Sequence, residues 1–404
     1  MALNRHVNLA NYALGNVLKY RARSMAIVAL LMASSGLLCS VEIVREGVMT
    51  DVKASLDNGP DVIVQKLVAG RQVPLPDEWV AEIADVPGVR VSTPRVWGYV
   101  DVGGGMLMTI VGVNVTEYSS LVGVIGTEIV GDGRFLNDNA TRELVIGQGI
   151  ADLMRNAASP VQIGVGSRIA LIAYDGGLLE FTVVGVFESS STIYSYDMIL
   201  TDISSARELF GMDNMSCTDV AVWVDYGTNV NSIALAIEGL QAEARVLTRD
   251  AIRSTSMATY GTRAGIVAIV WAVFLVSVVM LMFSTSSAGA DEARREVGLL
   301  KALGFSTVDV LEIRMVEALV LGLLGGSLGI SAAILFDYVL GAPLLAGYLL
   351  GWSTYLLNSG LPLAISAETC IEVYATTLVP VLVATVVPAW RNAITDPDQV
   401  LRGV

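Results

Sequence analysis

The sequence predicts an α-helical membrane protein with four transmembrane helices and a large α+β two-lobed extracytoplasmic domain between helices 1 and 2. Three observations carry this. The 404 residues are 53% hydrophobic and only 16% charged, with a mean hydropathy of +0.62, which is too apolar for an ordinary soluble chain of this size. Four windows free of Asp, Glu, Lys and Arg are long enough to cross a hydrocarbon core. A long insert after the first window alternates strand-like and helix-like patterning.

The elements follow in order. Residues 1–23 form an amphipathic cytoplasmic segment, 24–41 the first span, 42–263 the extracytoplasmic insert and 264–290 the second span. A charged connection at 291–317, a third span at 318–340, an extracytoplasmic loop at 341–371, a fourth span at 372–390 and a tail at 391–404 complete the chain. Eighteen residues make about 27 Å of helix, just enough to span. The charge-free stretch from 341 is broken by Gly341, Pro343, Gly347, Gly351, Gly360 and Pro362 and reads as a loop rather than a fifth crossing. Leu37-Leu38-Cys39 suggests a lipoprotein cleavage box, but Leu38 is large where a small residue is required, so the first span reads as an uncleaved anchor.

Basic residues cluster before the first span (Arg5, Lys19, Arg21, Arg23), between the second and third (Arg294, Arg295, Lys301, Arg314) and after the fourth (Arg391, Arg402). Four crossings put all three sets on one side, and the excess of basic residues makes that side cytoplasmic. The insert carries a net charge of −13 of the chain's −14. This speaks to solubility before it speaks to any basic ligand.

Within the insert, "DVIVQKLV" and "MLMTIVGVNV" read as strands, "RELVIGQGIADLMRNA" as a strand, a Gly turn and a helix, and the run around Asp175-Gly176-Gly177 as a hairpin. "TDISSARELFG" is a helix capped by Thr201 or Asp202, and "VNSIALAIEGLQAEA" is an amphipathic helix. Three glycosylation-type triplets, at Asn114, Asn139 and Asn214, carry little weight, since one or two arise by chance.

Catalytic chemistry is poorly provided for. The one His is His6, and Cys39, Cys217 and Cys370 lie far apart, so neither zinc sites nor His-based nucleophilic catalysis are supported. No phosphate-binding loop occurs, and the GGG at 103–105 lacks the rest of a dinucleotide fingerprint. Asp337 is the lone carboxylate at the end of the third span, which speaks against an ion-coupled secondary transporter.

The connection "DEARREVGLLKALGFS", 291–306, is helical in pattern. Val297, Leu300 and Leu303 recur as one apolar stripe, Gly304 is placed to end the helix, and Ser306 and Asp309 frame a capping box for the next. On these grounds the helix lies either in the headgroups or against a cytoplasmic partner.

That segment resembles the cytoplasmic motif of the MacB/FtsX-like family of ABC-transporter permeases. "PAWRNAITDPDQVLRG" at the C-terminal end is similar to the family's closing motif, and "PGVRVSTPRVWG", "IVGVNVTEY", "GDGRFLNDNATRELVIGQGIADLM" and "DISSARELFG" follow the order of its periplasmic core domain. The resemblance implies a non-catalytic permease subunit without cofactors of its own, with ATP and Mg bound by a separate ABC ATPase subunit. It implies a homodimer or a heterodimer with a related permease, in contact with membrane lipid, with room for an extracytoplasmic partner and no role for nucleic acid. By that resemblance Glu292, Arg294, Arg295, Glu296, Leu300, Lys301, Leu303 and Gly304 contact the ATPase, Val297 completes the inserting stripe, and Lys19, Arg21 and Arg23 offer a second cytoplasmic contact. The implied action is mechanotransmission for export or extraction of a peptide, lipoprotein or drug. The rivals are a membrane-anchored sensor with an acidic ectodomain and an ion-coupled secondary transporter.

Overall fold

A computed structural model describes residues 2–57, 59–101, 107–118, 127–138, 140–156, 163–288, 297–343, 345–350 and 361–394. The chain divides into a helical unit (1–47, 261–350 and 363–404) and a mixed unit built on 48–260. Four helices are long and apolar enough to cross a membrane.

The helical unit begins with α1 (Ala2–Lys19) and α2 (Arg21–Asp57), separated by Tyr20 alone. Its other long helices are α8 (Arg249–Ala288), α9 (Thr307–Ile334) and α11 (Ala367–Ile394), with the short α10 (Leu345–Leu350) inside the stretch expected to be a loop. The helices α2 and α8 exceed the spans expected from charge-free windows because both continue through polar sequence into the mixed unit. A charge-free window measures hydrocarbon thickness and not helix length.

The crossing of α2 with α9 depends on small residues. Ser35 Oγ donates to Leu31 O at 2.7 Å and reaches Gly325 O at 3.3 Å. A Cβ placed on Gly329 would lie 2.0 Å from Ser35 Oγ and 2.8 Å from both Gly36 N and Met32 O. Small residues let backbones approach this closely where lipid supplies no hydrophobic drive between helices. Gly329→Val is therefore expected to lower the melting temperature of the detergent-solubilised chain, by an overpacking cost of about 1–3 kcal/mol. Gly15→Ala, where nothing lies within 4 Å, should leave it unchanged or raised.

After Ile334 the third span finishes in a π-helical turn, Leu335–Val339. The wider turn carries Asp337 into the interior of the unit, where it is 1% exposed. Ser40 Oγ donates to Asp337 Oδ1 at 2.6 Å, and Oδ2 has no partner among the described residues.

The mixed unit is organised by one eleven-stranded sheet, ordered β13-β1-β12-β4-β5-β10-β7-β9-β6, with β2 and β8 pairing off that path. These are β1 (Val62–Val68), β2 (Arg71–Val73), β4 (Val89–Asp101), β5 (Leu107–Val113), β6 (Thr127–Ile129), β7 (Glu143–Gly147), β8 (Arg168–Ile172), β9 (Leu178–Ser189), β10 (Met198–Asp202), β12 (Asp219–Val224) and β13 (Ala244–Thr248); β3 (Leu75–Pro76) and β11 (Ser216–Cys217) pair separately. Every residue of β12 is buried, as its run DVAVWV requires of a central strand covered on both faces. The two lobes expected from sequence length are thus two halves of a continuous sheet.

Helices α3 (Glu78–Ala84) and α7 (Val230–Leu240) cover one half, with Trp79, Ile83, Ile233 and Ile237 packed on Val220 and Val222. On the other half α4 (Gln148–Asn156) packs Ile150 and Met154 against Ile146 and Phe181. This helix follows β7 directly, without the expected Gly turn. A short α5 (Thr192–Asp197) precedes β10. Between the halves lies α6 (Ile203–Phe210), capped by Asp202, whose side chain accepts from Ser205 N, while Thr201 belongs to β10. It fits because β4 and β5 carry glycines beneath it: a Cβ on Gly98 would meet the Phe210 ring at 2.6 Å, and one on Gly112 the Ala206 Cβ at 2.2 Å.

Two polar contacts hold the sheet from within. Arg95 and Asp219, opposite one another on β4 and β12, pair through two hydrogen bonds of 2.8 and 3.0 Å, and Trp97 Nε1 donates to the same carboxylate at 2.8 Å. Burial alone would lower the Arg95 guanidinium, but the charge and hydrogen bonds of Asp219 override it and hold Arg95 above its ordinary range. The second contact joins Asp197, at the end of α5, to Thr109 Oγ1 at 2.7 Å.

Burial pushes the Asp197 carboxyl up, partly offset by its bonds to Thr109. An acid whose folded pKa is raised holds its proton longer when folded. Its ionisation therefore costs stability progressively as pH rises from the ordinary Asp value through the raised one. Asp197→Asn is expected to raise the melting temperature at neutral pH and to leave it unchanged below the ordinary carboxylate range. Equal shifts at both pH values would contradict this.

Candidate functional site

Residues 297–302 form a short helix ahead of α9. It ends in a Schellman turn: Gly304 N donates to Lys301 O, Phe305 N donates to Leu300 O, and Gly304 takes φ +93°. Ser306 then caps α9 in a reciprocal box with Asp309. Both punctuation marks are where the sequence placed them.

The stripe of Val297, Leu300 and Leu303 divides between a covered and an exposed side. Val297 is 3% exposed and packs on Val310, and Leu300 is 7% exposed among Leu9, Ala13 and Ile313. These two face the chain's own α1 and α9. Leu303 is 70% exposed, and with Leu299 at 60% it forms the outward face, continued past the turn by Val308. Lys301 lies beside this face half-buried, and Gly304 is exposed. A stripe drawn from i+3 spacing ignored α1, which takes one side of the helix. Glu292, Arg294, Arg295 and Glu296 lie outside the described residues.

The α1 helix lies within the expected amphipathic segment 1–23, but the neighbours it packs on were not legible in the sequence. Its buried face, Leu9 and Ala13, meets Leu300 and Ile313. Polar contacts run along its length: Arg5 pairs with Asp309, His6 Nδ1 lies 2.6 Å from Glu312 Oε1, and Asn16 donates to Glu317 Oε1 at 2.9 Å. Glu317 also accepts from Arg314 at 2.8 Å. The opposite face carries exposed Val7, Leu14 and Leu18. Of the basic residues expected to form a second contact, Lys19 lies over the Tyr20 ring at 5.0 Å, Arg21 donates to Leu18 O, and Arg23 is half-buried. So α1, the 297–302 helix and the first turns of α9 form one packed platform. Acids at 309, 312 and 317 opposite Arg5, His6 and Asn16 were the available signal, legible only once the two helices are known to be neighbours running in the same sense.

A second group of residues grips the polar extensions of α2 and α8 inside the mixed unit. Asp51 is 5% exposed; it accepts Ser191 Oγ at 3.1 Å and the Thr192 backbone N–H, tying α2 to the start of α5. Arg249 donates to Gly59 O at 2.7 Å and lies 3.0 Å from Asp61. Arg253 donates to Asp57 at 2.8 Å. The end of α2 and the start of α8 are thereby joined to each other and to the sheet.

Among the described residues no group of three His, Cys, Asp or Glu is placed to hold a metal ion. Cys39 and Cys217 are buried, and burial pushes the Cys217 thiol up, away from reactivity.

Family models match almost the whole of this architecture. The MacB-like periplasmic core domain matches residues 25–240, and the FtsX-like permease C-terminal matches residues 268–397. The chain belongs to the MacB/FtsX-like permeases of ABC transporters. It is 28% identical over 217 residues to an uncharacterised ABC transporter permease of Methanocaldococcus jannaschii, covering 52% of each chain. It is 26% identical over 262 residues to an uncharacterised ABC transporter permease protein of Mycobacterium tuberculosis, covering 62% of this chain and 29% of that one. The matches thus span about half the length of the first relative and less of the second. Among solved structures, it is similar to the periplasmic region of MacB from Actinobacillus actinomycetemcomitans (13% identity, TM-score 0.35, 50% of this chain and 96% of that one). It is also similar to the extracellular domain of the noncanonic ABC-type transporter YknZ from Gram-positive bacteria (14% identity, TM-score 0.34, 46% and 99%).

Proposed function

We propose that this permease couples ATP hydrolysis by a separate ABC ATPase subunit to a change of shape in its mixed domain, which lies outside the membrane while both termini lie in the cytoplasm. The observation that carries this reading is the continuity of α2 and α8. Each contains a membrane-length apolar window and runs on unbroken into the mixed unit, as single helices of 37 and 40 residues. At about 1.5 Å per residue these are rods of roughly 55 and 60 Å. In this reading a displacement at their cytoplasmic ends is passed along the helices to the polar ends held by Asp51, Arg249 and Arg253.

In this reading the ATPase docks on Leu299, Leu303 and Val308, with Lys301, Gly304 and the charged residues Glu292, Arg294, Arg295 and Glu296 around them. The chain needs no catalytic group or cofactor, because ATP and Mg sit on the ATPase. The span of α8 has only 11% of its apolar window buried within this chain, against 56% for α2, which suits packing against a second permease, identical or related. Export or extraction of a peptide, lipoprotein or drug is the class of task such a device performs. Isolation of the full chain from its native membrane should bring down an ABC ATPase whose hydrolysis rate depends on the chain. An ATPase activity indifferent to the chain would overturn the reading.

A further inference from the structure

A groove of about 730 Å³ runs along the helical unit between α2, α8 and the end of α9. Its volume falls in the range of ligand sites. Ala33 and Gly36 of α2, Val267 of α8, Phe336 on the π-helical turn and Tyr348 of α10 line it. The wall offers almost nothing polar. Ser40 reaches it, but its hydroxyl already donates to Asp337. A polar ligand would lose its hydration here without compensation, so the chemistry selects hydrocarbon.

The lining at Tyr348 has a cation beside it. Arg263 lies four residues before Val267 on α8, hence on the same helix face one turn nearer the mixed unit. One of its N–H groups donates to Leu349 O at 2.9 Å, tying it to α10 beside Tyr348. No carboxylate pairs with it among the described residues, and a guanidinium keeps further donors for an anion. An aromatic ring and a cation above an apolar slot match the order of a lipid: headgroup level, then acyl level.

We propose that this groove is a binding site for an anionic phospholipid, one acyl chain lying along Ala33, Gly36, Val267 and Phe336 and the phosphate meeting Arg263. The probe lipids are phosphatidylglycerol and phosphatidylcholine of identical chains, added to the full-length chain in mild detergent and read by native mass spectrometry. The wild type should retain the anionic lipid about fivefold better than the zwitterionic one, the scale of one basic residue against an anionic headgroup. Arg263→Gln should abolish the preference and still retain both lipids. Ala33→Trp, a substitution at an exposed position that fills the slot, should cut retention of both at least tenfold at unchanged melting temperature; Ala29→Trp serves equally if that variant misfolds. Equal retention of the two lipids by the wild type overturns the headgroup assignment, as does displacement of the anionic lipid by a neutral-headed lipopeptide at equal concentration. Unchanged retention by both Trp variants overturns the groove. Quantitative cross-linking of Ala33→Cys to a second permease in native membranes would show protein there instead of lipid, and would also overturn it.

Discussion

Leu303→Asp and Leu299→Asp are each expected to reduce ATPase recruitment by more than tenfold while the chain stays folded. Both side chains are more than half exposed and touch the solvent side of the 297–302 helix. The folded chain loses little when they change, whereas a carboxylate introduced into the apolar centre of a docking surface is desolvated without a partner and costs about 2 kcal/mol or more of binding. Leu300→Asp separates docking from folding. Its side chain lies in the cluster of Leu9, Ala13 and Ile313, where a carboxylate has no partner and would detach α1 or unfold the platform. Recruitment and melting temperature should therefore fall together for Leu300→Asp, and recruitment alone for Leu303→Asp. Normal recruitment by a doubly substituted Leu299→Asp, Leu303→Asp chain would place the ATPase elsewhere.

Asp219→Ala is expected to be the most damaging single change in the mixed domain. It removes the acceptor of two Arg95 hydrogen bonds and of the Trp97 indole. The stranded guanidinium is only 14% exposed, so solvent cannot replace what is lost. Breaking a buried pair from one side costs about 3 kcal/mol or more, which for a domain of this size lowers the melting temperature by about 10 °C. Replacing both partners by apolar residues, Arg95→Met with Asp219→Leu, should recover most of the loss, because no charge is then left buried. A single-site loss within a degree of wild type would show the pair to be well solvated.

Much of the fold was legible because its signals are local. Charge-free windows marked the spans, Gly304 and Ser306 marked the break before α9, and the alternation around Asp175-Gly176-Gly177 marked the β8–β9 hairpin. Strand order was not legible. β10 pairs parallel with β5, from almost ninety positions earlier, and antiparallel with β7, and nothing in a five-residue run states its neighbours. β13 was missed because ARVLT is too short and too partly buried to alternate clearly. Which side of the 297–302 helix is covered was not legible for a similar reason. Helical periodicity places Val297, Leu300 and Leu303 on adjoining positions, but which side of that arc is covered depends on α1, nearly three hundred residues away in the chain. The grip of Asp51 on Ser191 and Thr192 is equally non-local.

The central claim is that an event on a cytoplasmic ATPase reaches the mixed domain through α2 and α8. Amide hydrogen exchange tests it most directly, in a membrane-reconstituted complex of the full chain with the ATPase it recruits. Exchange is compared without nucleotide and with the ATPase trapped by ADP and vanadate. The account predicts altered exchange at residues 192–197, at the start of α8 and at the end of α2, and no change in a Leu299→Asp, Leu303→Asp chain. Identical exchange in the mixed domain with and without trapping would contradict it.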